Sequence, residues 1–533
     1  MSTSLNTAHI LSKDSRFPDQ RTREFAQRWG GLLFWVAVAL IIAAAVVMRL
    51  YHLDVPFDRD GYDEGVYWQS LRSMLAGDSL YHTIFYSQPP LFLLSTYPAF
   101  ALFGGSLWSA RFSIALISLL GFPGAYLLGK SLAGRVGVLA ALLLLLVNPF
   151  YLAESQTIQA EASSVAFTFL AIGFAFLWWK QPDGRRGACW AGLCGLTFTA
   201  SVFCKLLCIS TLVPIALLML ARARQIWQRQ PGTSRRSWLP LLAGIGAALL
   251  TALLSILPFL GSFRDFWAGM ITFHQASAVA VSGPQSTMSY NLGLMTPAFR
   301  SLLVLAALYG TLISLWRKDW RVLPLLAWLL VTFFLLLIYH PLFDHHVIAL
   351  EPPLIALAIL SVVEPAAYQN FLAGEHLKKY VPAFFSLGIL LVLFAVAFNA
   401  GQDILYYQQS PLAILNHVGT QAASISQENE RVAGDLRRAI APDQWVITDG
   451  QFIAGLADRS TPPSLVDTSN VRITTGYVTL AQLEQAAANP RVHAVLFYTG
   501  RFYQHKVAGF HAWVARHFHL LYNYGNGQEL WVR

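Results

Sequence analysis

Six acidic residues crowd into one short stretch of this chain: Asp54, Asp58, Asp60, Asp63, Glu64 and Asp78. The densest part, Asp58-Arg59-Asp60-Gly61-Tyr62-Asp63-Glu64-Gly65, comes soon after an apolar run that ends at Leu50. Carboxylates in that place have a plain reading, a wet acidic loop at a membrane face. They also have a chemical one. A carboxylate held at a membrane surface can act as a general base and take the proton of an acceptor hydroxyl. Asp58-x-Asp60 could also hold a divalent metal, although such a triplet is common by chance.

A second group consists of ionisable residues set in apolar surroundings. Lys205 stands within Ser201-Val-Phe-Cys-Lys-Leu-Leu-Cys-Ile209, Arg111 lies at the start of an apolar run, and Glu154 and Glu161 flank a turn. Intramembrane charges are rare and tend to face a polar cavity or one another. A lysine and an arginine near the outer leaflet suit a lipid phosphate, and the plainer alternative is a structural pair such as Lys205 with Glu161. Asp344, His345 and His346 fall in a turn, with Glu351 just beyond. Two adjacent histidines can ligate a metal, hydrogen-bond a phosphate or simply sit at the interface. His274, in a polar segment, is a weaker candidate of the same kind. Trp178, Trp179, Trp316 and Trp320 read as interface anchors.

These residues need a scaffold, and composition says what kind. Of 533 residues, 55% are hydrophobic and only 12% charged, where a soluble domain carries about 25%. Soluble enzyme, disordered scaffold and secreted disulfide protein are excluded. The formal net charge of +9 does not mark a nucleic-acid partner, because residues from Gly401 onward carry ten Lys/Arg and ten Asp/Glu. The excess sits in short segments between apolar runs: Lys13 to Arg28, Lys180 to Arg186, Arg222 to Arg236, Arg317 to Arg321, and Lys378 with Lys379. That alternation is the positive-inside pattern. All four cysteines, Cys189, Cys194, Cys204 and Cys208, lie in one apolar stretch without His or carboxylate beside them, and read as small packing residues.

Residues 1–30 form a basic N-terminus on the cytoplasmic side, and Gly31 to Leu50 is long enough to span. Pro89 to Phe103 is too short and reads as an interfacial or re-entrant helix lying on the outer surface. Spans follow at about 107–129, 135–150, 157–179, 188–204, 206–222, 238–260, 298–316, 322–340, 346–364 and 380–399. The expected fold is mainly α, a polytopic bundle of roughly eleven membrane helices over residues 31–400. Its exported loops are 51–106 and 261–297, the latter a polar loop. An odd number of spans puts the tail outside. Residues 401–533 read as a small exported α/β domain, with strands at Trp445 to Thr448 and Ala494 to Tyr498 and helices at Leu480 to Ala488 and Gly509 to His517.

One ordered series of motifs is more specific. Asp63-Glu64-Gly-Val-Tyr67, Met74-Leu-Ala-Gly-Asp78, Gln88-Pro-Pro-Leu91, Leu102-Phe-Gly104 and Ala110-Arg111 follow one another within a short stretch. The series resembles the GT-C superfamily of membrane glycosyltransferases, closest to the branch of protein O-mannosyltransferases and lipid A aminoarabinose transferases. Ser155-Gln-Thr-Ile-Gln-Ala-Glu161 resembles the second acidic motif of that superfamily, and Lys205 sits where relatives often carry a lysine. The resemblance covers about residues 30–365. It implies a polyprenyl-phosphate sugar donor in the membrane, an inverting transfer, and a glycan, lipid or protein acceptor. It implies Asp63 as base, Glu64 as its support and Glu161 as a second acid. Arg111, Lys205 and His345 or His346 would neutralise the leaving phosphate, a group that needs fixed positive charge more than a proton. Gln88 stands where many relatives have a phosphate-binding lysine. Tyr67, His274 and Asp344 are candidates for the donor or acceptor loop. The resemblance implies no bound nucleotide, and a divalent metal is left open. The competing function, a transporter of polyprenyl-linked sugars, predicts repeated halves, and no internal repeat is visible. For the tail, acceptor recognition, a lid over the site and a structural cap are equally open.

Overall fold

The computed structural model describes residues 20–56, 59, 61–228, 237–363, 380–405 and 418–533. Asp58 and Asp60, Lys378 with Lys379 and most of residues 1–30 lie outside the described residues. In lipid a backbone has no partner but itself, so the apolar runs become helices. They are α1 (Gln20–Leu50), α2 (Asp63–Leu75), α3 (Leu91–Leu102), α4 (Leu107–Leu119), α5 (Gly121–Leu146), α6 (Pro149–Ser155), α7 (Ala160–Lys180), α8 (Gly184–Cys204), α9 (Leu212–Gln228) and α10 (Leu239–Ile256). Beyond α10 come Leu302–Trp316, Val322–Ile338, a mostly helical run from Asp344 to Val362, and Val381–Leu405.

Among the described residues, eight helical stretches are long and apolar enough to cross a membrane, and one bent pair would make nine. The roughly eleven expected differ from these for physical reasons. Leu107–Leu146 counts as one stretch, yet it folds back at Ala133 (φ −141°, ψ 24°) and Gly134, whose φ of 66° suits glycine. A Cβ on Gly129 would lie only 2.4 Å from the Gly137 carbonyl oxygen. Those residues could not meet in a straight helix, so the stretch is a tight hairpin. Val322–Ile338, at 17 residues, falls just short on length. α3, in the segment read as interfacial, has 12 residues.

The segment 261–297 corrects the sequence reading. It is not a polar loop but a chain of short helices: Phe263–Trp267, a π turn at Ala268–Thr272, Phe273–Ala280 and Met288–Arg300. The irregular turns break the 3.6-residue period that would have announced them. Phe259 and Phe266 stack on each other, and Tyr81 meets both rings edge-on.

Burial separates the layers. Asp344–Val362 is wholly enclosed and α7 nearly so, at 100% and 78% of their apolar windows, whereas Trp29–Leu50, Leu239–Ala280 and Val381–Asp403 reach only 22%. The first two form the bundle's centre and the others turn leucines and phenylalanines outward, as lipid contact requires. Small residues let helices approach: a Cβ on Gly195 of α8 would sit 2.0 Å from the Gly244 carbonyl oxygen of α10. Cys194, Cys204 and Cys208 are buried and free, and Cys189 is exposed and free.

The tail has a four-stranded mixed sheet in the order β1-β2-β4-β3: β1 Trp445–Thr448, β2 Val492–Phe497, β3 His519–Gly525 and β4 Gln528–Val532. β1 and β2 run parallel, and the other neighbours antiparallel. The β3–β4 hairpin turns on Asn526 and Gly527, both at positive φ, as a two-residue hairpin favours. The expected strands and helices are present, with the helix Val418–Ala439 in addition.

Candidate functional site

The acidic loop folds into α2, and its two adjacent carboxylates part company. Glu64 is fully buried and held by the Arg111 guanidinium, Nε to Oε1 at 2.7 Å and Nη2 to Oε2 at 2.7 Å. Its oxygens also accept the backbone N–H of Arg59 (2.9 Å) and of Ile158 (3.1 Å). Arg111 further donates to the carbonyls of Leu53 and Val55. Charge-assisted, bidentate bonding of this kind fixes two loops and the start of α2. Asp63, one residue earlier, opens instead onto a cavity of about 310 Å³.

That cavity brings most of the candidates together. Asp63, Tyr67, Gln88, Lys205, His274, Asp344, His345 and His346 all line it. Glu64, Arg111 and Glu161 do not. For Arg111 this corrects the expectation of a phosphate ligand, because its donors face Glu64 and backbone carbonyls rather than the cavity. Glu161 stands just behind the wall, in the first turn of α7, with the Lys205 ammonium 2.7 Å from Oε1. The plainer reading, a Lys205–Glu161 pair, is what the structure contains. Lys205 can reach it because α8 ends at Cys204 and the lysine is extended (φ −150°, ψ 123°) before a 3-10 turn resumes. The apolar run therefore has an interruption, and the charge sits in it.

His345 and His346 complete the cluster, with Nε2 atoms 3.8 and 3.9 Å from the same Glu161 oxygen. The backbone N–H of Phe343 donates to His346 Nδ1 at 3.3 Å, which leaves Nε2 aimed at Glu161. His274 Nε2 lies 2.6 Å from the Ser87 carbonyl and ties the helical segment after α10 to the segment before α3. The Tyr81 hydroxyl donates to the Gln88 carbonyl at 2.6 Å and orders the turn before Pro89.

Ligand atoms of Glu161, His345 and His346 lie within 4.8 Å of one another, close enough to share a metal ion. The donor set suits a divalent cation, but the Lys205 ammonium already pairs with that carboxylate. A second cation there would meet like charge at contact distance.

The remaining wall comes from the tail, through residues that no sequence motif singled out. Asp467, Ser469, Asn470, Val471 and Arg501 line the cavity beside Asp63. Tyr62 joins the two parts: its hydroxyl accepts from the Thr468 N–H at 2.7 Å and donates to Asp467 at 3.4 Å, and the Arg501 guanidinium lies 3.7 Å over its ring. Burial and the Asp467 charge hold the Tyr62 phenol well above its ordinary pKa. On the other face of α2, Gln69 donates to the carbonyls of Gln451 and Arg459 and accepts from Thr461 N–H. Contacts spanning some 400 positions leave no local pattern in the sequence.

Comparisons with known proteins agree with this architecture. Residues 87–253 match the family described as dolichyl-phosphate-mannose-protein mannosyltransferase. The apo structure of ArnT from Cupriavidus metallidurans superposes with a TM-score of 0.62 at 16% identity, covering 95% of this chain and 98% of that one. The same protein bound to undecaprenyl phosphate gives 0.62 at 14% identity, covering 93% and 97%. The apo oligosaccharyltransferase of Archaeoglobus fulgidus is a more distant likeness, with a TM-score of 0.46 at 14% identity, covering 90% and 71%. A search of curated protein sequences finds no match. The family match covers residues 87–253, and along nearly its whole length the chain shares the fold of ArnT.

Proposed function

We propose that the chain transfers a sugar from a polyprenyl-phosphate donor to a glycan, lipid or protein acceptor at the outer face of the cytoplasmic membrane, with inversion. The observation that carries this reading is the division of labour in one cavity. Asp63 faces the open volume, while the cationic Lys205 and the paired imidazoles line the same volume. A base and an anion-stabilising group are what a displacement at a sugar carbon bonded to phosphate needs.

In this reading Asp63 removes the acceptor hydroxyl proton as the oxygen attacks the anomeric carbon. The bond from that carbon to the phosphate oxygen breaks, and the electron pair leaves with the polyprenyl phosphate. Lys205, with His345 or His346, stabilises the charge that develops on the phosphate. Glu161 fixes the lysine and the imidazoles from behind and thus serves as a positioning residue. Arg111 acts one step further back, by locking Glu64 and so the start of α2. No nucleotide is involved. The ArnT structure bound to undecaprenyl phosphate supports a lipid phosphate as the donor's carrier.

The side of the membrane follows from charge. Lys180 donates to the Lys130 carbonyl, Arg321 to the Leu132 carbonyl, and Arg222 pairs with Asp183, so these basic turns gather at one end. Glu161 lies at the other end of α7 from Lys180, about 28 Å away at helical rise, close to a hydrocarbon thickness. The positive-inside pattern supports reading the basic end as cytoplasmic, and in this reading the site and the tail face outside.

The test uses vesicles holding wild-type protein or Asp63→Asn, supplied with polyprenyl-phosphate sugars and a cell-envelope extract. Mass spectrometry follows loss of each donor and appearance of free polyprenyl phosphate. Wild type is expected to consume one donor and the variant none. Equal rates would remove Asp63 from its role, and donor binding without consumption by either would favour transport.

A further inference from the structure

The turn that carries Arg501 is built with unusual care for an exposed domain. Asp449 is fully buried and accepts four backbone N–H groups, from Tyr498 (2.7 Å), Thr499 (3.2 Å), Arg501 (2.7 Å) and Phe502 (3.4 Å). The Thr499 hydroxyl donates to the Asp449 carbonyl at 2.8 Å. Gly500, at φ 82°, supplies the left-handed step that lets the chain curl round the carboxylate. One buried aspartate thereby sets the position of Arg501.

The side chain so placed forms no ion pair among the described residues. Its guanidinium lies on the Tyr62 ring at 3.7 Å, its Nε is buried without a hydrogen-bond partner, and the residue lines the cavity. Asp467, which lines the same cavity, is engaged with the Ser469 N–H and the Tyr62 hydroxyl. An arginine held over an aromatic ring has its donor fork pre-organised for a phosphate or carboxylate. Tyr62 precedes Asp63 in the chain, so an anion bound here lies beside the proposed base.

We infer that Arg501 is a substrate-binding residue supplied by the exported domain, which takes an anionic oxygen group, phosphate or carboxylate, of the donor or the acceptor. The tail is then part of the substrate site and not only a cap. The inference rests on the proposed reading in taking this cavity as the place of transfer.

Arginine-selective labelling with phenylglyoxal tests it on the wild-type protein in vesicles, with the Arg501 peptide followed by mass spectrometry. Inorganic phosphate is expected to protect Arg501 from labelling. Protection by polyprenyl phosphate as well assigns the group to the donor. Protection by the acidic fraction of an envelope extract but not by polyprenyl phosphate assigns it to the acceptor. Labelling of Arg501 that none of the three reduces overturns the inference. In transfer assays Arg501→Gln is expected to raise KM for the assigned substrate roughly 10- to 100-fold, with kcat little changed and partial rescue by Arg501→Lys. A fall in kcat alone would count against a binding role. Loss of the Asp63 role would show as activity in Asp63→Asn and leave the labelling result standing, so the two failures are separable.

Discussion

At the scale of single residues, the chemistry depends on which charges are neutralised inside the protein and which stay available. Glu64 and Arg111 are both fully buried and bonded to each other. Removing one member of such a pair strands the other in a medium that cannot solvate it, at a cost of about 3–5 kcal/mol. Glu64→Gln is therefore expected to lower the thermal unfolding midpoint strongly, and unfolding of detergent-solubilised protein measures it. An unchanged midpoint would show that the pair is not what anchors α2. The Lys205–Glu161 pair makes a different statement. Because the ammonium occupies the carboxylate that a metal would share, transfer is expected to persist unchanged in EDTA and to gain nothing from added magnesium or manganese. Activity lost on chelation and restored by one ion would show that transfer needs a metal, held by Glu161, His345 and His346 or by Asp58 and Asp60.

At the scale of elements, α2 joins the two halves of the protein. Its first turn presents Asp63 to the cavity, and its other faces meet the tail through Trp68 on Phe452 and Gln69 on Gln451. Gly65 makes that contact possible, since a Cβ there would lie 2.3 Å from the Phe452 backbone nitrogen. Gly65→Ala is expected to weaken docking by about 1–3 kcal/mol, the usual cost of overpacking. Limited proteolysis should then release residues 418–533 faster than in wild type, with a parallel loss of transfer. Equal release rates would mean that the interface yields without cost. This element also shows what a sequence reveals. Asp63 and Lys205 were legible because charge beside or within an apolar run is conspicuous. The pairing of Glu64 with Arg111 was not, since nothing local ties a loop carboxylate to a guanidinium 47 positions away. Arg501 gave no signal for the same reason, and the helices of 261–297 were hidden by their π and 3-10 turns.

At the scale of the whole molecule, the bundle separates its charges by end. The basic turns at Lys130, Lys180, Arg222 and Arg321 meet on one side, and the acidic loop, the imidazoles and the tail meet on the other. By the positive-inside pattern that sum predicts the basic end on the cytoplasmic side, because lysine and arginine resist translocation while acidic residues have little say. In the proposed reading, a donor whose phosphate must reach Lys205 approaches from the outer leaflet, and its sugar projects into the cavity that the tail helps to line. Cysteine labelling in intact cells checks this arrangement. In a Cys189→Ser background, Asn523→Cys lies on the exposed hairpin strand and Arg185→Cys on the exposed basic turn. A membrane-impermeant maleimide is expected to label the first from outside and to reach the second only after the membrane is permeabilised. Labelling of Arg185→Cys in intact cells, with Asn523→Cys protected, would invert the molecule and place the transfer on the cytoplasmic face.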